Sequence, residues 1–330
     1  THCQWGRNTR ELILHPSKTG IRTMRYFDHS RERPVITELW YPINPQLSAE
    51  AVNGIWVRCP EVRDAPLKKP TQGKYPLIVM SHGNWSDRLN CSWIAEMLSA
   101  NGYVVAAMDH YGNTWNNKQI EGFFKIWERP RDVSFVIDQI FQDPHFAPYI
   151  DKERVGFIGY SLGGQTGVWM AGGRLNPIDR SILEHIPSDQ VPSSFSVDML
   201  ETLDFSPATA SYKEERLSAF FLMAPALGPL FDPSSLNQIE VPCYIVAPES
   251  DQVVPVANNG KWFALQMKKG FFNLIPGAAN HYVFLNEVSK AGKMILDKSF
   301  ALDPPTVDRK TIHVQVGKEA IQFFNEHLKQ

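Results

Sequence analysis

The stretch that decides the fold of this chain is VGFIGYSLG, residues 155–163. A short apolar run leads into a Gly-x-Ser-x-Gly pattern, which is typical of a strand that turns sharply into a helix around an exposed serine hydroxyl. The two glycines are expected where a side chain would collide with the neighbouring strand or helix. Because a Gly-rich turn with an incidental serine has the same letters, the hypothesis that Ser161 is a nucleophile depends on the rest of the chain.

Short apolar runs alternate with helical patterns along the chain, which predicts an α/β fold with a mostly parallel sheet flanked by helices. We predict eight strands, at residues 11–14, 35–41, 75–80, 102–108, 154–158, 219–224, 243–247 and 271–275. The later runs are continuously apolar, as in strands buried on both faces, whereas the first two are mixed and suit antiparallel strands at one edge. Helices are predicted at residues 90–101, 131–142, 164–171 and 316–328.

The composition is that of an ordinary globular protein, with 330 residues, 43% hydrophobic and 21% charged. We predict a single domain over residues 1–330, with an insertion. The formal net charge of −2 argues against nucleic acid or an anionic membrane as a partner. No apolar run reaches the roughly 18 residues of a transmembrane helix, so no stable membrane span is expected.

Four cysteines, Cys3, Cys59, Cys91 and Cys243, are compatible with one or two disulfides in an oxidising compartment, and no pair has metal-site spacing. Cys243 lies in an apolar, strand-like run and is predicted to be a free buried thiol. A Cys3–Cys59 bridge would tie down the N-terminal arm. The chain begins at Thr1, which is compatible with a removed signal peptide or a trimmed chain. These observations favour a secreted or periplasmic protein over a cytoplasmic one.

Residues 172–216 fit neither a core strand nor a core helix, because they are rich in Pro and Ser with only scattered apolar side chains. This segment exceeds the length of an ordinary connection. We predict a lid or cap inserted after the helix that follows Ser161. The alternative is a disordered surface loop.

A serine hydroxyl needs a histidine to accept its proton and a carboxylate to orient that histidine. After a strand–turn–helix serine, the acid and then the histidine follow in chain order, each just past the carboxyl end of a later strand. Asp251 lies in the loop after the seventh predicted strand, and Glu249 in the same loop is the competing acid. His281 follows the last predicted strand on a loop of small residues. We therefore predict Ser161, Asp251 and His281 as a catalytic triad.

The negative charge of a tetrahedral intermediate needs at least two fixed N–H donors. One is predicted to be the amide of Leu162, directly after the serine. The second should come from the loop after the third predicted strand, SHGNW at residues 81–85. Gly83 permits a sharp turn there, and the amide of Asn84 is the predicted donor.

Two further histidines are interpreted as non-catalytic. His82 precedes the serine in the chain, which favours a structural role. Asp109 and His110 form a pair with too few ligands for a metal site, so they are expected to shape a pocket rim by hydrogen bonding, together with Asn113 and Trp115. Neither a cofactor nor a metal is expected.

With these residues in place the chain resembles the α/β-hydrolase superfamily, and within it the dienelactone-hydrolase-like and platelet-activating-factor-acetylhydrolase-like esterases. The specific matching segments are PLIVMSHG at 76–83, DHYGN at 109–113, GFIGYSLGG at 156–164 and PGAANH at 276–281. The resemblance extends from about Ile36 onward and leaves out the predicted lid. Dienelactone hydrolase proper carries cysteine where this chain has Ser161, which argues against lactone opening of that kind.

The resemblance implies an α/β-hydrolase fold and cleavage of a small-molecule or lipid carboxylic ester, with acyl and alcohol specificity left open. We expect a cofactor-independent serine esterase or lipase that works through an acyl-enzyme. A phospholipase A2-type acetylhydrolase acting on short acyl chains is one alternative, and a non-catalytic binding protein of the same fold is another. An amidase or peptidase also stays open, because the same triad serves all acyl transfers. The oligomeric state is not indicated.

Overall fold

The architecture is seen in a computed structural model that describes residues 11–178, 181, 188, 191 and 193–328. The strands are β1 Thr19–Asp28, β2 Arg33–Tyr41, β3 Glu61–Arg63, β4 Tyr75–Ser81, β5 Val104–Met108, β6 Asn113–Thr114, β7 Asn117–Lys118, β8 Ile150–Tyr160, β9 Leu217–Met223, β10 Cys243–Pro248 and β11 Gly270–Ile275. The helices are α1 Ser92–Ala100, α2 Ile120–Phe124, α3 Glu128–Gln142, α4 Leu162–Ala171, α5 Val197–Leu200, α6 Pro233–Leu236, α7 Gly260–Gln266, α8 Lys290–Ile295, α9 Lys298–Ala301 and α10 Arg309–Leu328.

Nine of the described strands form one sheet in the order β11-β10-β9-β8-β4-β5-β2-β1-β3, and β6 and β7 form a small hairpin. The strands from β5 through β4, β8, β9 and β10 to β11 are parallel. At the other edge β2 is antiparallel to both β5 and β1. The prediction of a mostly parallel sheet with antiparallel strands at one edge is therefore confirmed.

The sheet has nine strands where eight were predicted, and the differences lie at its antiparallel edge. Residues 11–14 are not a strand, since the amide of Ile13 donates to the side chain of Asn101 at 3.0 Å rather than to a neighbouring strand. β1 was missed because charged residues such as Arg22 and Arg25 interrupt its apolar positions, a pattern that β1 tolerates where the short strand β3 no longer covers it. β3 is too short to give a pattern.

Two apolar cores lie on opposite faces of the sheet. Leu77 of β4 faces the core that α3, α4 and α7 cover, with Val168 among its buried members. Ile78, the next residue, faces the core that α1 and α10 cover, which contains Phe324. Because successive strand residues point to opposite faces, both must be apolar, and this explains the continuous apolar runs of the central strands.

The four predicted helices are present, and two of them begin well before their predicted starts. α3 begins at Glu128 and carries Pro130 in its first turn, where proline costs no helical hydrogen bond. α10 begins at Arg309, after Asp308 accepts from the amide of Lys310 at 3.1 Å. Within the described residues no helix is long and apolar enough to cross a membrane.

The predicted lid, residues 172–216, lies between α4 and β9, and part of it falls outside the described residues. Its described part includes α5 and a short 3-10 turn at Ser206–Thr209. Phe205 from this segment packs edge-on against Trp127 at a centroid distance of 6.1 Å. The segment thus contacts the region between α2 and α3. Its action as a lid, and the assignment of residues 1–330 to one domain, stay predictions.

Candidate active site

Ser161 lies at the junction of β8 and α4 in a strained backbone conformation, with φ 55° and ψ −115°. The flanking glycines are required by close backbone contacts. A Cβ at Gly159 would lie 2.1 Å from the carbonyl oxygen of Gly163. A Cβ at Gly163 would lie 1.9 Å from the carbonyl oxygen of Ser81. The steric limits expected from the sequence are therefore confirmed: only glycine fits at these two positions, because the strand, the turn and the helix approach each other closely there.

The structure brings Ser161, His281 and Asp251 into one hydrogen-bonded chain. The Oγ atom of Ser161 lies 2.9 Å from Nε2 of His281, and Nδ1 of the same ring lies 2.6 Å from Oδ2 of Asp251. The other carboxylate oxygen accepts from the amides of Val253 and Val254 at 3.0 and 2.8 Å. All three side chains are buried. The carboxylate is thus held on one side by backbone and on the other by the imidazole.

Glu249, the competing acid, lies elsewhere. It is exposed at the carboxyl end of the β10 region, and its Oε2 atom accepts from the amide of Gly277 at 2.7 Å. The two carboxylates of this loop therefore have separate partners, and Asp251 is the one that contacts His281.

Tyr160 supports the imidazole and was given no role by the sequence. Its hydroxyl donates to the backbone oxygen of His281 at 2.9 Å, and the two rings lie 5.1 Å apart. Since the first variable position of a Gly-x-Ser-x-Gly pattern accepts many residues, no sequence signal distinguished this tyrosine.

The loop after β4 lies directly beside the nucleophile. A Cβ on Gly83 would be 3.4 Å from the Cβ of Ser161. Asn84 is the next residue, and its side-chain oxygen accepts from Nδ2 of Asn113 at 2.8 Å. Leu162 is the first residue of α4, and the amides of a first helical turn have no acceptor within the helix. Both residues predicted to bind an oxyanion therefore flank Ser161.

His110 lies behind this loop, and its predicted position at a pocket rim is wrong. Its ring is fully buried beneath α3, with Nε2 2.8 Å from Oγ of Ser81 and Nδ1 2.8 Å from Oδ2 of Asp132. Asp109 instead pairs with Arg88 at 2.7 Å. Burial, and then the charge of Arg129, lowers the pKa of His110 well below its usual range, so the ring is neutral.

His82 has the structural role that the sequence predicted. Its Nε2 atom accepts from the amide of His110 at 3.0 Å, so the proton of the neutral ring is on Nδ1. That proton is donated to the carbonyl of Gly83 at 2.7 Å. Burial, followed by the charge of Arg129, lowers the pKa of His82 well below its usual range, in agreement with a neutral ring.

Arg129 is the buried residue near the site that sequence reasoning missed. Its guanidinium donates to the carbonyl oxygens of His82 at 2.5 Å and Gly83 at 3.2 Å, and to Oδ1 of Asn113 at 2.9 Å. Burial lowers its pKa to about 9, so it stays charged at neutral pH. A charged residue at the start of an amphipathic helix normally lies in solvent, which is why the sequence gave no reason to single it out.

Aromatic rings line the far side of the same loop. Trp85 follows Asn84 and stacks on Phe123 at a centroid distance of 5.2 Å. Phe195, from the predicted lid, meets both rings edge-on at 6.2 and 5.9 Å. These rings form a packed apolar cluster that begins one residue after the predicted oxyanion donor.

In the described part of the chain no group of His, Cys, Asp or Glu side chains could hold a metal ion. Cys59, Cys91 and Cys243 are free thiols there, which agrees with the prediction for Cys243. Cys3 lies outside the described residues, and with it the predicted Cys3–Cys59 bridge. The secreted or periplasmic location stays a prediction.

The strand order, with a serine on the sharp turn between a central parallel strand and its helix, defines an α/β-hydrolase fold. A solved structure of a ferulic acid esterase from Streptomyces cinnamoneus is similar to this chain, with a TM-score of 0.64 and 18% sequence identity. The similarity covers 95% of this chain and 91% of that one. The chain therefore has the α/β-hydrolase fold.

Sequence comparisons add matches to parts of several hydrolases. The sequence model of the family "Platelet-activating factor acetylhydrolase, isoform II" matches residues 46–117. Dipeptidyl-peptidase 5 of Porphyromonas gingivalis is 32% identical over 112 residues, which are 30% of this chain and 15% of the relative. A probable dipeptidyl-peptidase 5 of Aspergillus terreus is 24% identical over 265 residues, 71% of this chain and 31% of the relative. The matches thus span less than a third of these relatives' length.

Proposed function

We propose that this protein is a serine hydrolase that cleaves carboxylic esters through an acyl-enzyme. The observation that carries the proposal is the unbroken contact from Ser161 through His281 to Asp251, with heavy-atom distances of 2.9 and 2.6 Å. A serine that is hydrogen-bonded to an oriented, buried imidazole is the arrangement that activates a hydroxyl as a nucleophile.

In this mechanism Oγ of Ser161 attacks the ester carbonyl carbon while its proton moves to Nε2 of His281. The carbonyl electron pair moves onto oxygen, and Asp251 stabilises the imidazolium that forms. The intermediate collapses when the imidazolium returns its proton to the departing alcohol, which leaves an acyl-Ser161 ester. Water then repeats the sequence with His281 as base, releasing the acid and regenerating the serine.

The oxyanion is proposed to be bound by the amides of Leu162 and Asn84. Two observations support this assignment: the position of Leu162 at the first turn of α4, and the closeness of Gly83 to Ser161, since a Cβ added to Gly83 would lie 3.4 Å from the Cβ of Ser161. Donors held in place before the reaction stabilise the developing charge without having to reorganise.

The substrate is proposed to be a small-molecule or lipid ester with an apolar group. The cluster of apolar rings formed by Trp85, Phe123 and Phe195, which adjoins the oxyanion loop, supports this class. The family match over residues 46–117 supports a phospholipase-type acetylhydrolase as the second candidate. The dipeptidyl-peptidase 5 relatives make amide cleavage the third.

Covalent labelling tests the proposal most directly. Folded protein would be treated with a fluorophosphonate, digested and mapped by mass spectrometry. We expect the adduct on Ser161 and none on Ser81, which also touches a His–Asp pair but lies behind the oxyanion loop, 3% exposed. The Ser161→Ala variant should lose both the adduct and ester turnover. A folded protein without an adduct would favour the non-catalytic alternative.

Substrate panels then separate the candidates. Nitrophenyl esters of increasing acyl length report carboxylic-ester cleavage and chain preference. Release of lysolipid from a short-chain phospholipid would favour the acetylhydrolase, and release of nitroaniline from a dipeptidyl nitroanilide would favour the peptidase. Activity on the first panel alone is the outcome that the proposal expects.

A further inference from the structure

The loop that carries the proposed oxyanion donor is held from behind by one buried guanidinium. Arg129 of α3 is 2% exposed, and its Nη1 atom donates to the carbonyl oxygen of His82 at 2.5 Å. Its Nη2 atom donates to the next carbonyl oxygen, that of Gly83, at 3.2 Å. Two successive peptide groups of the loop therefore present their oxygens to the same side chain.

The direction of each carbonyl also determines the direction of the amide N–H that follows it. In a trans peptide the C=O of one residue and the N–H of the next point in opposite directions. With the Gly83 carbonyl turned toward Arg129, the N–H of Asn84 points away from α3. The loop passes close to the nucleophile's turn, since a Cβ on Gly83 would lie 3.2 Å from the ring of Tyr160 and 3.4 Å from the Cβ of Ser161. The bond to Arg129 therefore fixes the Asn84 amide in a direction away from α3, in a loop that lies beside Ser161.

Two other side chains complete the support. Asn113 accepts from Nη2 of Arg129 at 2.9 Å and from the amide of Trp85 at 3.1 Å, while its own Nδ2 donates to Oδ1 of Asn84 at 2.8 Å. The Gly83 carbonyl also accepts from Nδ1 of His82 at 2.7 Å and from a backbone amide two residues beyond Asn84 at 3.2 Å. The guanidinium is thus the charged centre of a network that surrounds the loop.

Fold stability alone does not call for a cation in this position. The hydrogen bonds of Arg129 within the described residues go to uncharged oxygens, and its Nε atom has no partner there. A buried charge without a directly paired carboxylate is costly to desolvate. Bonds from a charged donor also polarise the peptide groups that accept them, which strengthens the N–H on the opposite side of each peptide.

We propose that Arg129 is the positioning residue for the oxyanion-binding amide of Asn84, acting through the carbonyls of His82 and Gly83. This inference rests on the proposed function, because it assigns a residue to the same reaction. Arg129 does not touch the substrate. Its contribution is to hold the Asn84 amide where the negative charge develops.

The test compares Arg129→Lys with Arg131→Lys. Lysine keeps the charge but has one nitrogen in place of the planar fork, so it cannot reproduce the two bonds that Nη1 and Nη2 now make from separate positions. Arg131 lies on the same helix, is exposed and pairs with Glu128 at 3.1 Å, which makes it the matched control. For nitrophenyl acetate we expect R129K to lower kcat by roughly 10²-fold, with KM within about threefold of wild type, and R131K to leave kcat unchanged.

The affinity for a trifluoromethyl ketone distinguishes positioning of the oxyanion donors from a general structural role of Arg129. Ser161 adds to its carbonyl to give a bound hemiketal whose oxygen carries the charge, so its Ki reports the oxyanion donors. The Ki should rise in R129K by about the same factor by which kcat/KM falls, while the Ki of the corresponding alcohol, which forms no oxyanion, should stay the same. Unchanged kcat and ketone Ki in folded R129K would overturn the inference.

A second variant keeps the inference testable if R129K does not fold. Arg129→Gln keeps a long polar side chain with one amide donor and removes both the charge and the planar fork, so kcat should fall and ketone Ki should rise together. Wild-type values for both in R129Q would contradict the inference. A wild-type protein that neither hydrolyses esters nor binds the ketone refutes the proposed function and this inference with it, whereas an active wild type with an unaffected R129K refutes the inference alone.

Discussion

Replacement of Asp251 by asparagine removes the charge of the carboxylate and leaves its shape. Backbone hydrogen bonds determine the orientation of the new side-chain amide. Oδ1 of Asp251 accepts from the amides of Val253 and Val254 at 3.0 and 2.8 Å, so an asparagine must keep its oxygen there. Its Nδ2 group then replaces the oxygen that now lies 2.6 Å from Nδ1 of His281.

This orientation reverses the tautomer of the histidine. An amide nitrogen donates and cannot accept, so Nδ1 of His281 must become the acceptor. The ring proton then moves to Nε2, the atom that lies 2.9 Å from Oγ of Ser161. A protonated Nε2 cannot take the serine proton, and D251N therefore loses the base as well as the charge that stabilises the imidazolium.

The size of the loss follows from both effects. Charge centres about 4 Å apart at an effective dielectric constant of about 20 interact by about 4 kcal/mol. That energy corresponds to roughly a 10³-fold change in rate. The wrong tautomer adds to it, and in the general Ser–His–Asp template the same substitution lowers kcat by about 10⁴-fold. We expect kcat for nitrophenyl acetate to fall by roughly 10³- to 10⁴-fold in D251N.

The assay is steady-state hydrolysis of nitrophenyl acetate together with the rate of fluorophosphonate labelling of Ser161. Glu249→Gln is the matched control. Glu249 lies in the same loop and is exposed, and its side chain accepts from the amide of Gly277 rather than from His281. E249Q should stay within about twofold of wild type. The reasoning is refuted if folded D251N keeps more than about a tenth of the activity, or if E249Q loses as much as D251N.

Two further predictions concern stability and the serine turn. Burial lowers the pKa of His313 from 6.5 to about 3. As the pH falls, His313 is protonated first in the unfolded chain. Its contribution to the free energy of unfolding is therefore complete above about pH 6.5 and declines between pH 6.5 and pH 3. H313Q keeps a donor for the Val283 carbonyl but has no group that titrates in this range. The unfolding free energy, measured by urea titration, should therefore fall by about 2 kcal/mol less between pH 7 and pH 5 in H313Q than in the wild type. The same dependence of unfolding free energy on pH in both proteins would contradict this. Gly163→Ala would place a Cβ 1.9 Å from the Ser81 carbonyl oxygen, so ester hydrolysis should fall about 10²-fold or more and Tm should drop. Gly54→Ala, which meets nothing within 4 Å, should change neither, and equal effects would count against the steric argument.

Much of the fold could be predicted because the signals are local. A central strand that is buried on both faces must be apolar at every position, so β4, β5, β9, β10 and the second half of β8 are visible as runs. β1 was missed because, beyond its short pairing with β3, one side of it meets water and accepts arginines. The antiparallel side of the sheet is thus a region where burial constrains the sequence weakly.

The candidate site likewise contains residues that the sequence could predict and residues that it could not. The positions of Ser161 and His281 follow from chain order, because each lies just past the carboxyl end of a strand, and those ends meet at one edge of a parallel sheet. The true surroundings of His110 could not be predicted, since its partner Asp132 comes from a helix that packs over the loop. A short-range pattern carries no information on which helix covers a given loop.

By itself the sequence determined the serine turn, the order of the acid and the base, and the glycines that let the chain pass close to Ser161. These are properties of neighbouring residues, and steric limits on the backbone are enough to specify them. Only the tertiary structure decided that Asp251 rather than Glu249 reaches His281, and that Arg129 holds the loop before Asn84. Those outcomes depend on contacts between segments far apart in the chain, where differences of a few ångströms select one partner and exclude another.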